Sequence, residues 1–193
     1  MDMALEKRID LAALDRDALK AAAADYHKRG FNCAQAVACA LAPVVGMDAD
    51  AAFRMTEGFG AGMGGMTETC GAISGAVTVL GMANSHGMED PTSKGGTYKL
   101  SKDLVGRFAT KNGTTVCREL KGIGSADGPR RSCPGCIDDA VDLAVDILSE
   151  QARASEQGLR EKQARDALKM SPGEVAADAA ADIGFTALFD LLS

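Results

Sequence analysis

The chain has 193 residues and a net charge of -6. An acidic chain without a broad basic surface is poorly suited to bind nucleic acid or an anionic membrane, because it cannot displace phosphate counterions. Its 46% hydrophobic content comes with only 4% aromatics and no Trp. This composition favours closely packed helices over a β-sandwich rich in aromatic and β-branched residues. We therefore expect an all-α protein, built as a compact multi-helix bundle.

The start of the chain, MDMALEKRID, has no basic segment followed by an apolar run, and no stretch reaches eighteen apolar residues. Secretion and membrane insertion are therefore not predicted, and we expect a cytoplasmic protein. Six cysteines in a reducing compartment are expected as thiols, metal ligands or redox-active pairs rather than as stable disulfides.

Two helices are predicted near the N-terminus. The stretch DRDALKAAAADYHKRG has apolar residues at helical spacing and ends at Gly30. The following stretch, NCAQAVACALAP, begins with Asn32 and Gln35 in the positions of a capping box, which places Cys33 in the first turn. A further short helix, DADAAFRMTEG, ends near Gly58.

A glycine-rich loop follows in the stretch EGFGAGMGGMTETCGAISGAV, which contains Cys70. Its glycines fit the spacing G-x-G-x-x-G at Gly60, Gly62 and Gly65, but a helical segment precedes them where a dinucleotide site needs a strand. No nucleotide site is therefore expected. AVTVLGM alone could form a strand, but the small residues at 71–72 and 75–76 recur four apart and favour a helix with a smooth packing face.

The second half begins with a polar loop at 85–97 and a helix, YKLSKDLVGRFATKNG, that turns Leu100, Leu104, Val105 and Phe108 to one side. The clearest helix is CPGCIDDAVDLAVDILSE, with Pro134 at a first helical position and an apolar stripe behind it. We assign 1–150 to a redox or metal-binding helical domain. Residues 151–193 are expected to form a helical C-terminal extension suited to a homodimer, with a last helix capped at 171–174.

Four of the cysteines share a position at the start of a helix. Cys33, Cys70 and Cys133 lie at or near three different helix starts, with Cys136 one turn inside the third. The partial positive charge there stabilises a thiolate by about 0.3–1 kcal/mol per helix end. Several thiolates repel each other unless a metal compensates their charge, and without one they stay protonated or pair as disulfides.

The remaining candidates are weaker. Cys39 lies about 120° around the helix from Cys33 and is interpreted as a buried structural thiol. His27 is expected to be an exposed helix-end residue and His86 a loop residue, neither with the partners of a hydrolytic triad, so no catalytic residue is assigned. CPGC lacks both the βαβ context of thioredoxin and the second C-x-x-C of a zinc ribbon.

The cysteine pattern resembles that of the C-GCAxxG-C-C family of prokaryotic redox-active proteins. The similar segments are FNCAQAV with Cys33, GFGAGMGGMTETCGAISGAVTVLG with Cys70, VCREL with Cys117 and CPGCIDDAV with Cys133, within residues 20–150. The resemblance implies an all-helical redox protein that is similar to part of the split-Soret cytochromes, which carry an iron–sulfur centre beside their haems. Haem is not implied here, because no C-x-x-C-H occurs. Two features depart from the family: the extra thiol of Cys136 and the extension 151–193.

Three functions remain open from the sequence. In the leading hypothesis, Cys33, Cys70, Cys117 and Cys133 bind an iron–sulfur cluster or another metal for electron transfer to a redox partner protein or for redox sensing. Cys136 is then a fifth metal ligand candidate or a resolving thiol. The alternatives are a thiol–disulfide oxidoreductase that uses Cys133 with Cys136, or Cys33 with Cys70, and a structural zinc protein.

Overall fold

The computed structural model describes residues 9–10 and 13–169. Contacts divide the chain into two compact units, Met1–Glu150 and Gln151–Ser193. The roles assigned above to these two segments stay predictions.

The described residues form seven α-helices joined by short 3-10 and π turns. They are α1 (Arg16–Lys28), α2 (Cys33–Leu41), α3 (Ala49–Thr56), α4 (Gly71–Asn84), α5 (Lys94–Asn112), α6 (Cys117–Leu120) and α7 (Cys133–Lys169). Within this part of the chain the only extended pairing is an isolated bridge between Thr69 and Val116. The all-α prediction is confirmed, and AVTVLGM lies in α4 rather than in a strand.

Helix α2 is the centre of the first unit. It packs against α1, α3 and α4, and α4 packs in turn against α5. Every residue of α2 after Cys33 is buried, because its sequence is a run of small and aliphatic side chains with a single amide. That amide belongs to Gln35, which completes the predicted capping box by accepting a hydrogen bond from the backbone N–H of Asn32, 3.0 Å away. Helix α2 therefore begins where the sequence indicated, with Cys33 as its first residue.

Helices α2 and α4 approach each other closely because Gly75 has no side chain. A Cβ at this position would lie 3.1 Å from both the Cα and the carbonyl carbon of Ala34, and closer still to its oxygen. Such separations lie below the 3.5–4.0 Å at which carbon atoms pack well. The small-residue face predicted for α4 is thus the face that contacts the backbone of α2.

The first turns of helix α7 belong to the same core. Its predicted stripe is buried: Ile137, Val141, Ala144 and Leu148. On the neighbouring face, Lys20 of α1 forms ion pairs of 3.1 Å with both Asp138 and Asp142 of α7, and Arg16 pairs with Asp142 and Asp146. These pairs fix the start of α7 against α1, whose end lies at the cavity described below.

Two boundaries differ from the sequence prediction. Helix α5 begins at Lys94, inside the stretch 85–97 that was predicted as a loop, because Asp90 caps a 3-10 turn at Pro91–Ser93 that leads directly into the helix. Helix α7 continues to Lys169, since the stretch after Glu150 is rich in good helix formers. The predicted last helix, capped at 171–174, lies outside the described residues. No helix in the described part of the chain is long and apolar enough to cross a membrane.

Candidate redox centre

Four helices begin at a cysteine. Cys33 is the first residue of α2, Cys117 of α6 and Cys133 of α7, and Cys70 immediately precedes α4. Serine and asparagine caps produce two of these starts: the side chain of Asn32 accepts from the backbone N–H of Ala34 at 3.0 Å, and that of Ser132 accepts from Gly135 at 3.1 Å. The predicted positions of Cys33, Cys70 and Cys133 are confirmed, and Cys117 adds a fourth start that the sequence did not reveal.

These helix starts surround one cavity of about 210 Å³. All five candidate cysteines line it: Cys33, Cys70, Cys117, Cys133 and Cys136. Cys70, Cys117 and Cys136 are buried, whereas Cys33 and Cys133 are partly exposed. The cavity therefore has a buried side and a side that solvent reaches, and all five thiols are free rather than joined in disulfides.

Interactions between the thiols shift their pKa values, and the strongest of these interactions link Cys33 with Cys133 and Cys70 with Cys136. The two pairs that the sequence suggested, Cys133 with Cys136 and Cys33 with Cys70, also interact electrostatically in the cavity. Cys117 interacts electrostatically with the others from the side of α6.

The pKa values of Cys70 and Cys136 are shifted in opposite directions. The hydrogen bond from the Cys136 thiol lowers the pKa of Cys70 to about 7, whereas burial raises it. The N–H groups of Ala72 and Ile73 at the start of α4 lower this pKa further, although the side chain of Cys70 forms no capping hydrogen bond. The same hydrogen bond, together with burial, raises the pKa of Cys136. In this pair Cys70 is therefore the thiol that ionises first, and Cys136 keeps its proton.

The other cavity cysteines with shifted values are held as neutral thiols. Burial, followed by the proximity of Cys133 and Cys70, raises the pKa of Cys33 to about 12. Burial also raises the pKa of Cys117. Because a neutral thiol binds metal only after it loses its proton, loading a metal here must release protons.

Two cationic side chains, Lys121 and Arg131, also line the cavity. The Nζ of Lys121 hydrogen-bonds to Cys133, and this contact raises the pKa of the lysine. Arg131 donates from Nε and Nη2 to the two oxygens of Asp139, each at 2.9 Å. Asp139 is fully buried and also pairs with Lys111 at 2.7 Å. Of the two cations at the cavity, Arg131 is therefore paired with a buried carboxylate, that of Asp139.

The glycine-rich loop brings α4 and α6 together. Gly62 has a φ of +53°, and a Cβ there would lie 2.7 Å from the Cβ of Cys117 and 2.8 Å from the oxygen of Glu68. The loop then reaches the isolated bridge, in which Cys70 N–H donates to Thr115 at 2.8 Å and Cys117 N–H donates to Glu68 at 2.9 Å. Gly62 therefore allows the loop to pass close to Cys117. Helix α3 precedes the loop, so the element before the glycines is a helix and not a strand, as predicted.

His27 is placed differently from its prediction as an exposed helix-end residue. It is partly buried, lines the cysteine cavity, and has its Nδ1 2.9 Å from the carbonyl oxygen of Phe31. A carbonyl only accepts, so this nitrogen carries the proton. No motif in the sequence marked this position, because it depends on how the end of α1 packs against the start of α2.

The other two candidates lie outside the cavity lining. Cys39 is buried and its thiol faces the carbonyl oxygen of Ala49 at 3.6 Å, as expected for a structural thiol. His86 lies in the loop after α4 and pairs with Asp90 at 2.6 Å.

The thiols do not converge on one point. Across residues 9–10 and 13–169, no group of three or more His, Cys, Asp or Glu side chains is arranged around a site for a single metal ion. A tetrahedral zinc site needs four sulfurs about 3.8 Å apart around one ion, given Zn–S bonds of about 2.3 Å. Iron–sulfur clusters take their cysteines on different iron atoms. The five thiols share one cavity without being arranged around a single ion.

Comparison with known proteins agrees with this cysteine pattern. Neither a curated protein nor a solved structure matches the chain. Residues 31–147 match the family described as "Putative redox-active protein (C_GCAxxG_C_C)", a segment that runs from just before Cys33 to beyond Cys136 and covers more than half of the chain. The chain therefore belongs to the C_GCAxxG_C_C family.

Proposed function

We propose that the cysteine cavity holds an iron–sulfur cluster and that the protein transfers electrons to a partner protein or senses redox state. The observation that supports this is the convergence of five free thiols, from four helix starts far apart in the sequence, on one cavity. Thiols that pack a core do not need to share a cavity, as Cys39 illustrates.

The two thiol pairs suggest how a cluster is bound. One pair, Cys33 with Cys133, would supply two sulfurs to one side, and Cys70 would supply a third from the opposite pair. The fourth ligand is then Cys117, as the sequence motif implies, or Cys136, which hydrogen-bonds to Cys70. When bound, such a cluster supplies a one-electron redox couple, which the thiols alone do not.

The surrounding residues are suited to a negatively charged centre. The N–H groups of Ala72 and Ile73 at the start of α4 favour a charged Cys70, and Lys121 adds a full positive charge at the cavity. Burial of Cys70, Cys117 and Cys136 excludes water from one side, and the partly exposed pair leaves the other side accessible to a partner.

The direct test is anaerobic purification followed by iron, sulfide and zinc analysis, with optical and EPR spectra. We expect iron and sulfide in the purified or reconstituted protein. Single Cys→Ser variants at the five cavity positions identify the ligands, and Cys39→Ser is the matched control, since it removes a buried thiol outside the cavity. Absence of metal and sulfide even after reconstitution, or loss of binding in fewer than three cavity variants, would contradict the proposal.

A second function is favoured by one contact. Cys70, with its pKa lowered to about 7, lies beside the proton-bearing Cys136, which is the arrangement of a reactive thiolate and its resolving partner. In a thiol–disulfide oxidoreductase, the Cys70 thiolate would displace one sulfur of a substrate disulfide and Cys136 would then displace the other. Both residues are buried, 4% and 2% exposed, which limits access for a protein substrate.

The two functions predict different results in the metal-free protein. An oxidoreductase should form a Cys70–Cys136 disulfide in glutathione buffers, detected by mass spectrometry, and lose disulfide exchange in the Cys136→Ser variant. A structural zinc protein, the third function left open by the sequence, would instead contain redox-silent zinc and unfold on chelation.

A further inference from the structure

The two cations at the cavity differ in what compensates their charge. Arg131 makes a two-pronged contact with the buried carboxylate of Asp139, at 2.9 Å for each oxygen. Because Asp139 also pairs with Lys111, its single negative charge balances only part of the charge of Arg131, which also interacts electrostatically with Cys136. Lys121 has a different set of partners: Cys133 through a hydrogen bond, and Cys117 and Cys33 through electrostatic interaction. Its charge is directed at the sulfurs.

The backbone holds Lys121 in this position. Its N–H donates to the carbonyl oxygen of Cys117 at 3.0 Å, and the preceding residue, Leu120, is buried and accepts from the N–H of Arg131 at 3.0 Å. On the other side, Gly122 has a φ of +67°, and a Cβ there would lie 2.5 Å from the nitrogen of Pro129. The buried Leu120 on one side and the close contact of Gly122 with Pro129 on the other therefore fix the backbone of Lys121 beside the cavity.

We infer that Lys121 is a positioning residue that orients Cys133 and raises the midpoint potential of the redox centre. This inference rests on the proposed function. Reduction adds one electron, supplied by an external donor, to a centre that is already negative because of its thiolates. A cation in contact with one of the sulfurs stabilises the reduced state more than the oxidised state, and it does so strongly because part of the cavity is buried. Arg131 contributes less, since Asp139 balances part of its charge.

The test compares three variants of the full chain by redox titration of the loaded centre, followed by optical or EPR spectra. Lys121→Met removes the charge and keeps most of the side-chain volume, and Lys121→Arg keeps the charge. Lys102→Met makes the same change in net charge at an exposed position of α5 outside the cavity lining. Circular dichroism and thermal unfolding verify that each variant is folded.

We expect Lys121→Met to lower the ratio of reduced to oxidised centre at a given potential at least tenfold, which is a shift of 59 mV for a one-electron couple. Lys121→Arg should shift the potential by less than half of this, and Lys102→Met should leave it unchanged. An unchanged midpoint potential in Lys121→Met, or an equal shift in Lys102→Met, would overturn the role of Lys121. Iron and sulfide in the wild-type protein would still support the proposed cluster in that case. If Lys121→Met does not load, Lys121→Gln provides the second neutral variant.

Failure of the proposed function is recognised separately, because it appears as wild-type protein that binds no cluster. In that case the inference falls together with the proposed function. A wild-type protein that loads a cluster, with an equal midpoint potential in Lys121→Met, overturns the inference alone.

Discussion

The close approach of α2 and α4 predicts opposite effects for two glycine substitutions on the same helix. Gly75→Ala places a Cβ against the backbone of Ala34, at 3.1 Å from two of its carbons and closer to its oxygen. In Gly81→Ala the nearest atom is a methyl carbon of Thr97, at 3.9 Å, which is an ordinary contact. Both positions lie inside α4, so they gain the same helix propensity.

The magnitudes follow from these distances. To restore a carbon separation of about 3.5–4.0 Å, the helices in Gly75→Ala must move apart by about 0.4–0.9 Å. Overpacking of this kind costs about 1–3 kcal/mol, and a clash with backbone is at the upper end of that range. Alanine regains about 1 kcal/mol of helix propensity, so we expect Gly75→Ala to lose about 2 kcal/mol and Gly81→Ala to gain about 1 kcal/mol.

Urea unfolding of the metal-free, reduced protein, followed by circular dichroism, measures the difference. The two variants should differ by about 3 kcal/mol in the free energy of unfolding, or by about 6–12 °C in Tm. Because α2 and α4 begin at cavity cysteines, Gly75→Ala should also reduce metal content after reconstitution. A Gly75→Ala variant as stable as Gly81→Ala would refute the close packing of these helices.

Three further predictions concern the site. Gly62→Ala should reduce cluster content in reconstitution assays more than it reduces helicity. The new Cβ would displace Cys117, and the φ of +53° at this position disfavours alanine. Full cluster loading of this variant would contradict the prediction. Burial opposes ionisation of Asp139, but hydrogen bonds from its basic partners outweigh burial and lower the pKa of this carboxyl group. The ionised Asp139 therefore stabilises the fold above about pH 4, and this stabilisation is lost as the pH falls through the lowered pKa. The Asp139→Asn variant should therefore lose about 3–5 kcal/mol at pH 7 in urea unfolding and show a weaker loss of stability in acid than the wild type; equal stabilities at pH 7 would contradict the buried ion pair. In the metal-free reduced protein, Cys136→Ala should raise the pKa of Cys70 above its value of about 7, seen as a shift to higher pH in the thiolate absorbance; an unchanged titration would show that the hydrogen bond is absent.

Local signals in the sequence were sufficient for the helix starts. Asn32 with Gln35 marked the start of α2, and Pro134 marked that of α7, because caps act within a few residues of the chain. The small residues of the α4 segment likewise indicated a close helix contact. Membership of the family followed from the same local cysteine motifs.

The partners within the cavity could not be predicted in this way. Which thiols interact most strongly depends on how four helix starts are oriented in space. The sequence order suggested Cys133 with Cys136, and the largest effect on the pKa of Cys136 comes from Cys70. His27 and Lys121 reach the cavity through the packing of α1 and the chain crossing after α6, neither of which has a sequence signature. The positive φ of 49° at Ala61 was equally hidden, because alanine rarely adopts it.

The isolated bridge between Thr69 and Val116 has a practical consequence for redesign. Its hydrogen bonds, Cys70 N–H to Thr115 and Cys117 N–H to Glu68, involve only main-chain atoms, so the spacing of the two cysteines does not depend on which side chains flank them. Substitutions that change charge or bulk at positions 68, 69, 115 and 116 therefore leave both of these hydrogen bonds available. The bridge thus offers a set of positions at which the centre's surroundings can be tuned independently of its geometry.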